Sequence, residues 1–287
     1  MYRPPTINQE KTIDHMNGHQ NLHTHTTYCD GMQTVEEMII AAIQKGGGSI
    51  GFAEHSYVSF IDKKYSMNPE DTPLYINEVS ALKEKYKNGI EVFLGLEMDR
   101  LTESAPEGLD YMIGSAHHAQ KDGKYVAVDG PFERLELANR ERFGGDYLAI
   151  AESYYAMLAD VAEKTGADII GHFDLVTKHN SGGKMFDETH PRYIKAALGA
   201  MDRILESCKI FEVNTGAMFR LGKTEPYPSQ FILRELHKRG GEVILSSDSH
   251  GADSLYYKFN EMRELLKFCG FRHIKRLTKD GYIDEEL

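Results

Sequence analysis

Histidines and acidic residues recur at the ends of apolar segments in this sequence, and this recurrence limits the fold more than any other feature. Each of seven short apolar segments, which predict strands, ends with or precedes a pair of polar residues. The pairs are His23 and His25, Glu54 and His55, Glu97 and Asp99, His117 and His118, His172 and Asp174, Glu212 and Asn214, and Asp248 and His250. Residues i and i+2 of a strand point to the same side, so several of these pairs can offer two ligands to one place.

Helical patterns separate most of the apolar segments. The predicted strands cover residues 20–22, 50–53, 91–96, 111–115, 168–171, 210–213 and 243–246. A possible capping box, Thr34 and Glu37, predicts the start of the first helix, and the glycines at 46–48 predict its end. Further helices are predicted over residues 71–86, 146–164, 191–207, 229–240 and 254–268, while the connection between residues 96 and 111 is too short for one.

Strand and helix alternation predicts a mainly parallel sheet in an α/β fold. No linker, repeat or low-complexity stretch divides the chain, so we expect a single domain over residues 20–287. Residues 1–19 are predicted to be an N-terminal extension. His15 and His19 lie in it and are expected to be surface residues rather than ligands.

The polar pairs predict a metal site. In a parallel barrel the carboxyl ends of the strands converge on one rim. Any one of these histidines is more easily explained as an ordinary core or surface residue, but buried charged groups are costly unless they are paired or bind metal. Seven sets at seven strand ends therefore indicate bound cations. Mixed imidazole and carboxylate ligands suit zinc, manganese or iron, whereas calcium prefers oxygen ligands alone.

The composition restricts the partners. The formal net charge of −11 argues against a nucleic-acid backbone or an anionic membrane as the main partner, although bound cations still allow an anionic substrate. No apolar run is long enough to span a bilayer, and the polar N-terminal segment does not resemble a secretory leader. Cys29, Cys208 and Cys269 are scattered and odd in number, which predicts free thiols and a cytoplasmic location. The oligomeric state stays open.

The segment from His23 and His25 to Asp30 and Gly31 resembles the first motif of the PHP family (polymerase and histidinol phosphatase), in which two histidines and a following Asp-Gly bind metals. Later segments are similar to the remaining motifs in order, and together the matches run from residue 21 to residue 250. These segments are 53–55, 95–97, 114–117, 171–174, 212–215 and 247–250.

This resemblance implies a distorted (β/α)7 barrel, similar to a TIM barrel, with two or three divalent transition metal ions (Zn, Mn or Fe). Carried over by motif, the ligands of the first metal would be His23, His25, Glu97 and Asp248. Glu97 would bridge to a second metal, held also by His117 and His172. The third metal would be bound by Asp30, His55 and His250. The residue pattern alone selects neither Asp30 nor His117 over His118.

Within this family the chain most resembles the histidinol-phosphate phosphatases. The segments that carry this closer resemblance are residues 28–31, residues 212–216 followed by Arg220, and residues 225–229. The resemblance implies hydrolysis of a small phosphate monoester, L-histidinol phosphate, to L-histidinol and phosphate in histidine biosynthesis. His118 and the long stretch before the first motif depart from the family pattern.

The expected chemistry is attack on phosphorus by a metal-bridging hydroxide, since clustered metals neutralise phosphate oxygens and lower the pKa of a bound water. Asp248 or His250 would give a proton to the leaving oxygen. The candidates for binding the substrate are Arg220, Lys178 and His118, with Glu54, Asp99 or Glu212 as partners for the ammonium group of the substrate. A catalytic role for Cys29 is not expected, because no Cys-x5-Arg phosphatase loop follows it.

Three other functions are compatible with parts of the pattern. A PHP-type phosphoesterase acting on nucleotides or phosphodiesters would use the same metal site. An exonuclease, however, needs a basic groove, and this sequence contains no basic runs that would predict one. A non-catalytic metal-binding protein would be expected to have lost some ligands. A (β/α)-barrel amidohydrolase shares the His-x-His opening but fits the later segments less well.

Overall fold

The strands and helices alternate along the chain in this computed structural model, which describes residues 18–61 and 65–287. The strands are β1 (Gln20–Asn21), β2 (Ser49–His55), β3 (Glu91–Asp99), β4 (Tyr111–Ser115), β5 (His118–Lys121), β6 (Lys124–Ala127), β7 (Ile169–Ile170), β8 (Ile210–Asn214), β9 (Glu242–Ser246), β10 (His273–Thr278) and β11 (Gly281–Glu286). The helices are α1 (Val35–Gln44), α2 (Thr72–Tyr86), α3 (Phe132–Arg142), α4 (Tyr147–Leu158), α5 (Val161–Thr165), α6 (Pro191–Ile204), α7 (Gly216–Leu221), α8 (Gln230–Lys238) and α9 (Phe259–Cys269).

Seven parallel strands form the central sheet, in the order β1-β2-β3-β4-β7-β8-β9. Its two edges meet through a parallel bridge between Thr24 and Ser249, where the Ser249 amide donates to the His23 carbonyl at 3.0 Å and the His25 amide donates to the Ser249 carbonyl at 2.8 Å. The sheet is therefore a nearly closed barrel. The prediction of a single-domain, distorted (β/α)7 barrel is confirmed, and all seven predicted strands are present.

Helix α1 shows how local sequence sets an element in place. The Thr34 side chain accepts from the Glu37 amide, and the Glu37 carboxylate accepts from the Thr34 amide at 2.9 Å, so the predicted capping box is present. Such a cap stabilises a helix by about 1 kcal/mol. The helix buries Val35 and Met38, among others, against the sheet. Gly46 then adopts a φ of +75°, which a glycine tolerates and which turns the chain into β2.

Several predicted boundaries are wrong. The helix predicted over residues 146–164 is two helices, α4 and α5, separated at Ala159 and Asp160. Arg100 donates from Nε and Nη2 to the Asp160 carboxylate at 2.8 and 2.9 Å, which holds the break in place. Helix α9 begins at Phe259 rather than near residue 254, because Tyr256 and Lys258 adopt positive φ angles of 60° and 55° that no helix accommodates.

Apolar side chains fill the amino-terminal part of the barrel, which leaves its carboxyl-terminal end for polar groups. This interior cluster consists of Leu22, Ala53, Phe93, Tyr111, Ile113, Ile169, Ile210, Ile244 and Leu277. The β10–β11 hairpin, which was not predicted, closes the amino-terminal end. It is fixed by Gln20, whose side-chain amide donates to the Leu277 carbonyl at 2.9 Å and accepts from the Leu277 amide at 2.8 Å.

The predicted N-terminal extension falls mostly outside the described residues, and so does His15. His19 is described, and its ring packs against Tyr256 and Phe259 with centroid distances of 5.8 and 5.6 Å. It is part of the packing between the first strand and α9 and lies away from the polar rim. No helix within residues 18–61 and 65–287 has the length and the apolar character that crossing a membrane requires.

Candidate metal centre

Glu97, at the end of β3, lies at the centre of the carboxyl-terminal rim and is only 1% exposed. Both of its carboxylate oxygens face imidazole nitrogens. The Oε2 atom lies 2.6 Å from Nδ1 of His55, 3.4 Å from Nε2 of His23 and 3.8 Å from Nε2 of His25. On the other side, Oε1 lies 2.9 Å from Nε2 of His172 and 3.4 Å from Nε2 of His117. A carboxylate between two groups of imidazoles has the geometry of a bridging ligand.

Two aspartates extend this cluster towards solvent. The Oδ1 atom of Asp248 lies 3.2 Å from Nε2 of His25 and 3.4 Å from Nδ1 of His250. The Oδ1 atom of Asp30 lies 3.2 Å from Nε2 of His250 and 3.7 Å from Nε2 of His55. The structure therefore brings all nine predicted metal ligands to one rim, although their coordination roles remain predictions.

Among the residues that the structure describes, four groups of potential ligand atoms lie close enough to hold a cation, and the atoms of each group are within 4.8 Å of one another. One group agrees with the first predicted site without its bridging glutamate: His23, His25 and Asp248. A second contains the whole third predicted site, Asp30, His55 and His250, together with His25. The remaining groups are His55 with Glu97 and His117, and His25 with Cys29 and Glu54. His55 thus lies between two groups, which the motif assignment does not anticipate.

Orphaned polar atoms show that this centre suits cations. His23 Nε2, His25 Nε2 and Glu97 Oε2 are buried, and none of them has a hydrogen bond of acceptable geometry among the described residues, although Glu97 Oε2 lies 2.6 Å from Nδ1 of His55. Most buried polar atoms in proteins have a partner, and leaving one without costs about 1–3 kcal/mol. Three such atoms of ligand type in one cluster are explained by divalent transition metals, which accept imidazole nitrogen and carboxylate oxygen together. The cluster is able to bind several ions.

A second layer of carboxylates orients the imidazoles. The Glu212 Oε2 atom accepts from Nδ1 of His23 at 2.8 Å, and the Asp99 Oδ2 atom accepts from Nδ1 of His117 at 2.7 Å. Each contact fixes the proton on Nδ1 and leaves Nε2 free to face the centre. This arrangement accounts for the selection of His117, since its neighbour His118 begins β5 and points elsewhere.

Glu54 organises the loop that carries Asp30. Its carboxylate is fully buried and accepts from the Thr26 amide at 3.2 Å, the Thr26 hydroxyl at 2.7 Å and the Cys29 thiol at 2.7 Å. Glu54, Asp99 and Glu212 are therefore engaged inside the protein. The suggestion that one of them binds a substrate ammonium group is not supported.

Charges within the cluster keep the acidic ligands ionised. Burial alone would raise the pKa of Glu97, but the imidazoles of His55, His23 and His117 hold it well below its ordinary value. Burial likewise opposes the effect of Arg220 and His23 on Asp248, whose pKa also lies well below the usual range. Two ionised carboxylates are thus in place before any cation arrives.

His25 is the clearest neutral ligand. Burial and the nearby imidazoles of His55 and His250 lower its pKa to about 3, so the ring carries no proton on one nitrogen at neutral pH. A metal ligand must have such a free lone pair.

The three predicted substrate-binding residues lie at different depths. Arg220, on α7, donates from Nη2 to Asp248 Oδ2 at 2.9 Å, and its side chain is 38% exposed. Lys178 is half-buried and donates from Nζ to the Asp129 carbonyl at 2.6 Å. His118 is buried and packs edge-on against Phe60 with a centroid distance of 5.7 Å. Arg220 alone among the three contacts the predicted ligand set.

The cysteines agree with the prediction of free thiols. Burial and the Glu54 carboxylate raise the pKa of Cys29 well above its ordinary value, so its sulfur is held as a thiol hydrogen-bond donor and not as a nucleophilic thiolate.

Sequence reasoning missed Tyr227 and Lys223, which approach the rim from the loop between α7 and α8. The Lys223 ammonium donates to the Thr177 carbonyl at 2.9 Å and lies 4.7 Å from the centroid of the Tyr227 ring. The segment 225–229 contains one of them and was noted only for its family resemblance. The position of Tyr227 depends on Asn214, which ends β8, because the two residues pair through both backbone hydrogen bonds, and a backbone pairing of this kind leaves no signal in the sequence.

Comparison with known proteins gives a consistent result. The family model described as the PHP domain matches residues 21–216. A probable histidinol-phosphatase of Deinococcus radiodurans is 30% identical over 275 residues, which cover 91% of this chain and 99% of the relative. The histidinol-phosphatase of Bacillus subtilis is 25% identical over 265 residues, which cover 84% of this chain and 97% of the relative.

The fold is similar to that of a solved structure from Lactococcus lactis subsp. lactis, a histidinol phosphate phosphatase in complex with zinc, L-histidinol and phosphate. The TM-score is 0.68 at 20% sequence identity, and the match covers 93% of this chain and 99% of the other. At this identity the likeness concerns the fold.

Proposed function

The chain belongs to the PHP domain family, and from this premise we propose that it is a metal-dependent phosphatase that hydrolyses L-histidinol phosphate to L-histidinol and phosphate. The observation that carries the proposal is the Glu97 carboxylate between five imidazoles, with orphaned ligand atoms directed at the same space. The relatives of almost equal length support the choice of substrate, as does the solved relative that contains zinc, L-histidinol and phosphate.

We assign the metal ligands as the family motifs suggest. The residues that would hold two or three ions of zinc, manganese or iron are His23, His25, Asp30, His55, Glu97, His117, His172, Asp248 and His250. When bound, such ions neutralise the phosphate oxygens and lower the pKa of a coordinated water toward about 7. The barrel strands fix the ligand side chains, so the site is organised before the substrate arrives.

Two residues at the mouth would act on the substrate itself. Arg220 would bind the phosphate through its planar guanidinium, which matches two phosphate oxygens at once. His250 is the better choice for giving a proton to the leaving oxygen, since its side chain is 22% exposed at the mouth and, with Nε2 beside Asp30 on the metal side, its Nδ1 would carry the proton. Both carboxylate oxygens of Asp248 face cationic or imidazole groups, which favours a role as an ionised ligand over proton donation.

A phosphate-release screen tests the proposal directly. The purified protein, loaded with manganese or with zinc, would be assayed on histidinol phosphate, p-nitrophenyl phosphate, mononucleotides and single-stranded DNA. We expect the highest kcat/KM for histidinol phosphate and no cleavage of the DNA. Failure to release phosphate from any monoester under either metal would contradict the enzyme proposal, while preference for nucleotides would contradict only the substrate.

The free cysteines agree with our proposal of a cytoplasmic location.

Substituting Arg220 should weaken substrate binding. Arg220→Ala removes a charged donor next to Asp248, so we expect KM and the inhibition constant of inorganic phosphate to rise about 10- to 100-fold, as loss of a hydrogen bond between charged groups implies. The matched control is Arg192→Ala, since Arg192 pairs with Glu152 on the helical surface, where its Nη2 lies 2.6 Å from a carboxylate oxygen. Steady-state kinetics of both variants provide the measurement, and equal KM values in the two would rule out the phosphate role.

A further inference from the structure

Tyr227 is held rigidly at the rim although it belongs to a loop. Its amide donates to the Asn214 carbonyl at 3.0 Å, and its carbonyl accepts from the Asn214 amide at 2.6 Å. Tyr227 therefore forms an isolated β-bridge with the last residue of β8. Two residues later, the Ser229 amide donates to Asp174 Oδ2 at 2.8 Å, just beyond the end of β7. The loop is therefore attached to the carboxyl ends of two neighbouring barrel strands.

The Tyr227 phenol lacks a partner at this position. The residue is 3% exposed, and its hydroxyl makes no hydrogen bond within residues 18–61 and 65–287. Lys223 lies over one face of the ring, with its Nζ atom 4.7 Å from the ring centroid. Buried hydroxyls are normally hydrogen-bonded, so a rigid one without a partner indicates a group that the protein itself does not supply.

The charges around Tyr227 identify the kind of group. Besides burial, the charges that act on the phenol belong to Asp174, Arg220, Asp129 and Asp248. Arg220 and Asp248 are the same pair that forms the mouth of the metal centre. The contacts agree: Tyr227 pairs through its backbone with Asn214, whose side-chain nitrogen lies 3.5 Å from Asp248 Oδ2, the same oxygen that accepts from the Arg220 guanidinium. Tyr227 is thus next to the residue that contacts the Arg220–Asp248 pair.

We infer that the Tyr227 hydroxyl is a second fixed donor to the substrate phosphate, and that it hydrogen-bonds a phosphate oxygen beside the Arg220 guanidinium. This inference rests on the proposed function only in requiring that a phosphate group binds at the rim. Burial and the Asp174 charge raise the pKa of the phenol well above its ordinary value, so it keeps its proton and can only donate to an anionic oxygen. A neutral donor of this kind stabilises the phosphate without taking part in proton transfer.

Asp174 and Asn214 act as positioning residues in this arrangement. Asp174 is fully buried at the start of the turn after β7, and it reaches across to the loop that carries Tyr227. Asn214 fixes the same loop from β8. These two positioning roles explain why polar residues lie at these strand ends on the rim although neither is a predicted metal ligand.

Tyr227→Phe tests the inference, because it removes only the hydroxyl. The metal-loaded wild type and variant would be titrated with inorganic phosphate by calorimetry, and the inhibition constant of phosphate would be measured with p-nitrophenyl phosphate as substrate. We expect phosphate binding to weaken about 10- to 100-fold in the variant, as loss of a donor to a charged group implies, with metal content and melting temperature unchanged.

Tyr282→Phe is the matched control. The Tyr282 hydroxyl is also buried without a partner among the described residues, but it lies in β11 at the amino-terminal end of the barrel. We expect this variant to bind phosphate as the wild type does.

Equal phosphate affinity in wild type and Tyr227→Phe would overturn the inference and leave the proposed function intact. Loss of metal from Tyr227→Phe would overturn it as well, since the phenol would then support the metal centre. Absence of phosphate binding to the wild type would contradict both proposals.

Discussion

Replacing Glu97 with alanine should abolish phosphate release and lower the metal content of the purified protein together. Glu97 contributes both carboxylate oxygens to the centre of the cluster, and its nearest contacts are His55 at 2.6 Å and His172 at 2.9 Å. Removing it leaves imidazoles that repel one another when protonated and no anion to hold two cations close together. Metal-assisted catalysis contributes several kcal/mol, so we expect activity to fall by a factor on the order of 10³ or more.

The conservative variant Glu97→Gln separates charge from shape. Its amide nitrogen would present hydrogens to imidazole nitrogens that must offer lone pairs, so we expect nearly the same loss. Glu91→Ala is the matched control, because Glu91 begins the same strand at the opposite end of the barrel. Metal analysis, kinetics and thermal unfolding of the three variants provide the comparison. Full turnover with full metal content in Glu97→Ala would refute the metal centre as described.

The sequence was sufficient to predict the barrel and the place of its site. Buried strands can be recognised in the sequence as short apolar segments. Barrel geometry alone then directs the side chains at the end of each strand to the rim. His23, Glu97 and Asp248 could be placed together for this reason, although more than 70 residues separate neighbouring members of the set in the chain. Predicting which residues lie at the strand ends required no information about the conformation of the loops.

Residues outside the regular strands were harder to assign. His117 and His118 are adjacent and chemically identical, and what separates them is a partner 18 residues away, Asp99, which accepts from Nδ1 of His117. His118 instead begins the β5–β6 hairpin, whose polar sequence carries no clear strand pattern. Tyr227 was missed for a similar reason, because its position depends on pairing with Asn214 and no local signal encodes that contact.

The roles of the second layer of carboxylates were also beyond the sequence. Glu54, Asp99 and Glu212 end or follow strands just as Glu97 does, so the pattern predicts their location but not their depth or partners. Glu212 and Glu97 are both 1% exposed, yet only Glu97 faces a group of orphaned ligand atoms. The distinction rests on which neighbouring side chains are hydrogen-bond donors.

Glu212→Gln should lose metal affinity although Glu212 is not itself a predicted ligand. Within the described part of the chain, the four groups that hydrogen-bond its carboxylate are all donors: Nδ1 of His23 at 2.8 Å, the Ser246 hydroxyl at 2.6 Å, the Asn214 side-chain amide at 2.8 Å and the His172 amide. An amide nitrogen in place of either oxygen must face a donor. The favourable response is for His23 to move its proton to Nε2, which removes the lone pair directed at the metal centre.

Loss of such an orienting partner typically weakens metal binding about 10- to 100-fold, and we expect a change of this size in a competition titration with a zinc chelator. In the metal-free protein, the mismatched donor should also lower the free energy of unfolding by about 1–3 kcal/mol, measured with denaturant. Glu242→Gln is the control, because Glu242 begins the next strand, at the other end of the barrel, and pairs with Lys275. If Glu212→Gln bound zinc as tightly as Glu242→Gln, the tautomer of His23 would not depend on Glu212, and the carboxylate would serve only to link β8 with the neighbouring strands.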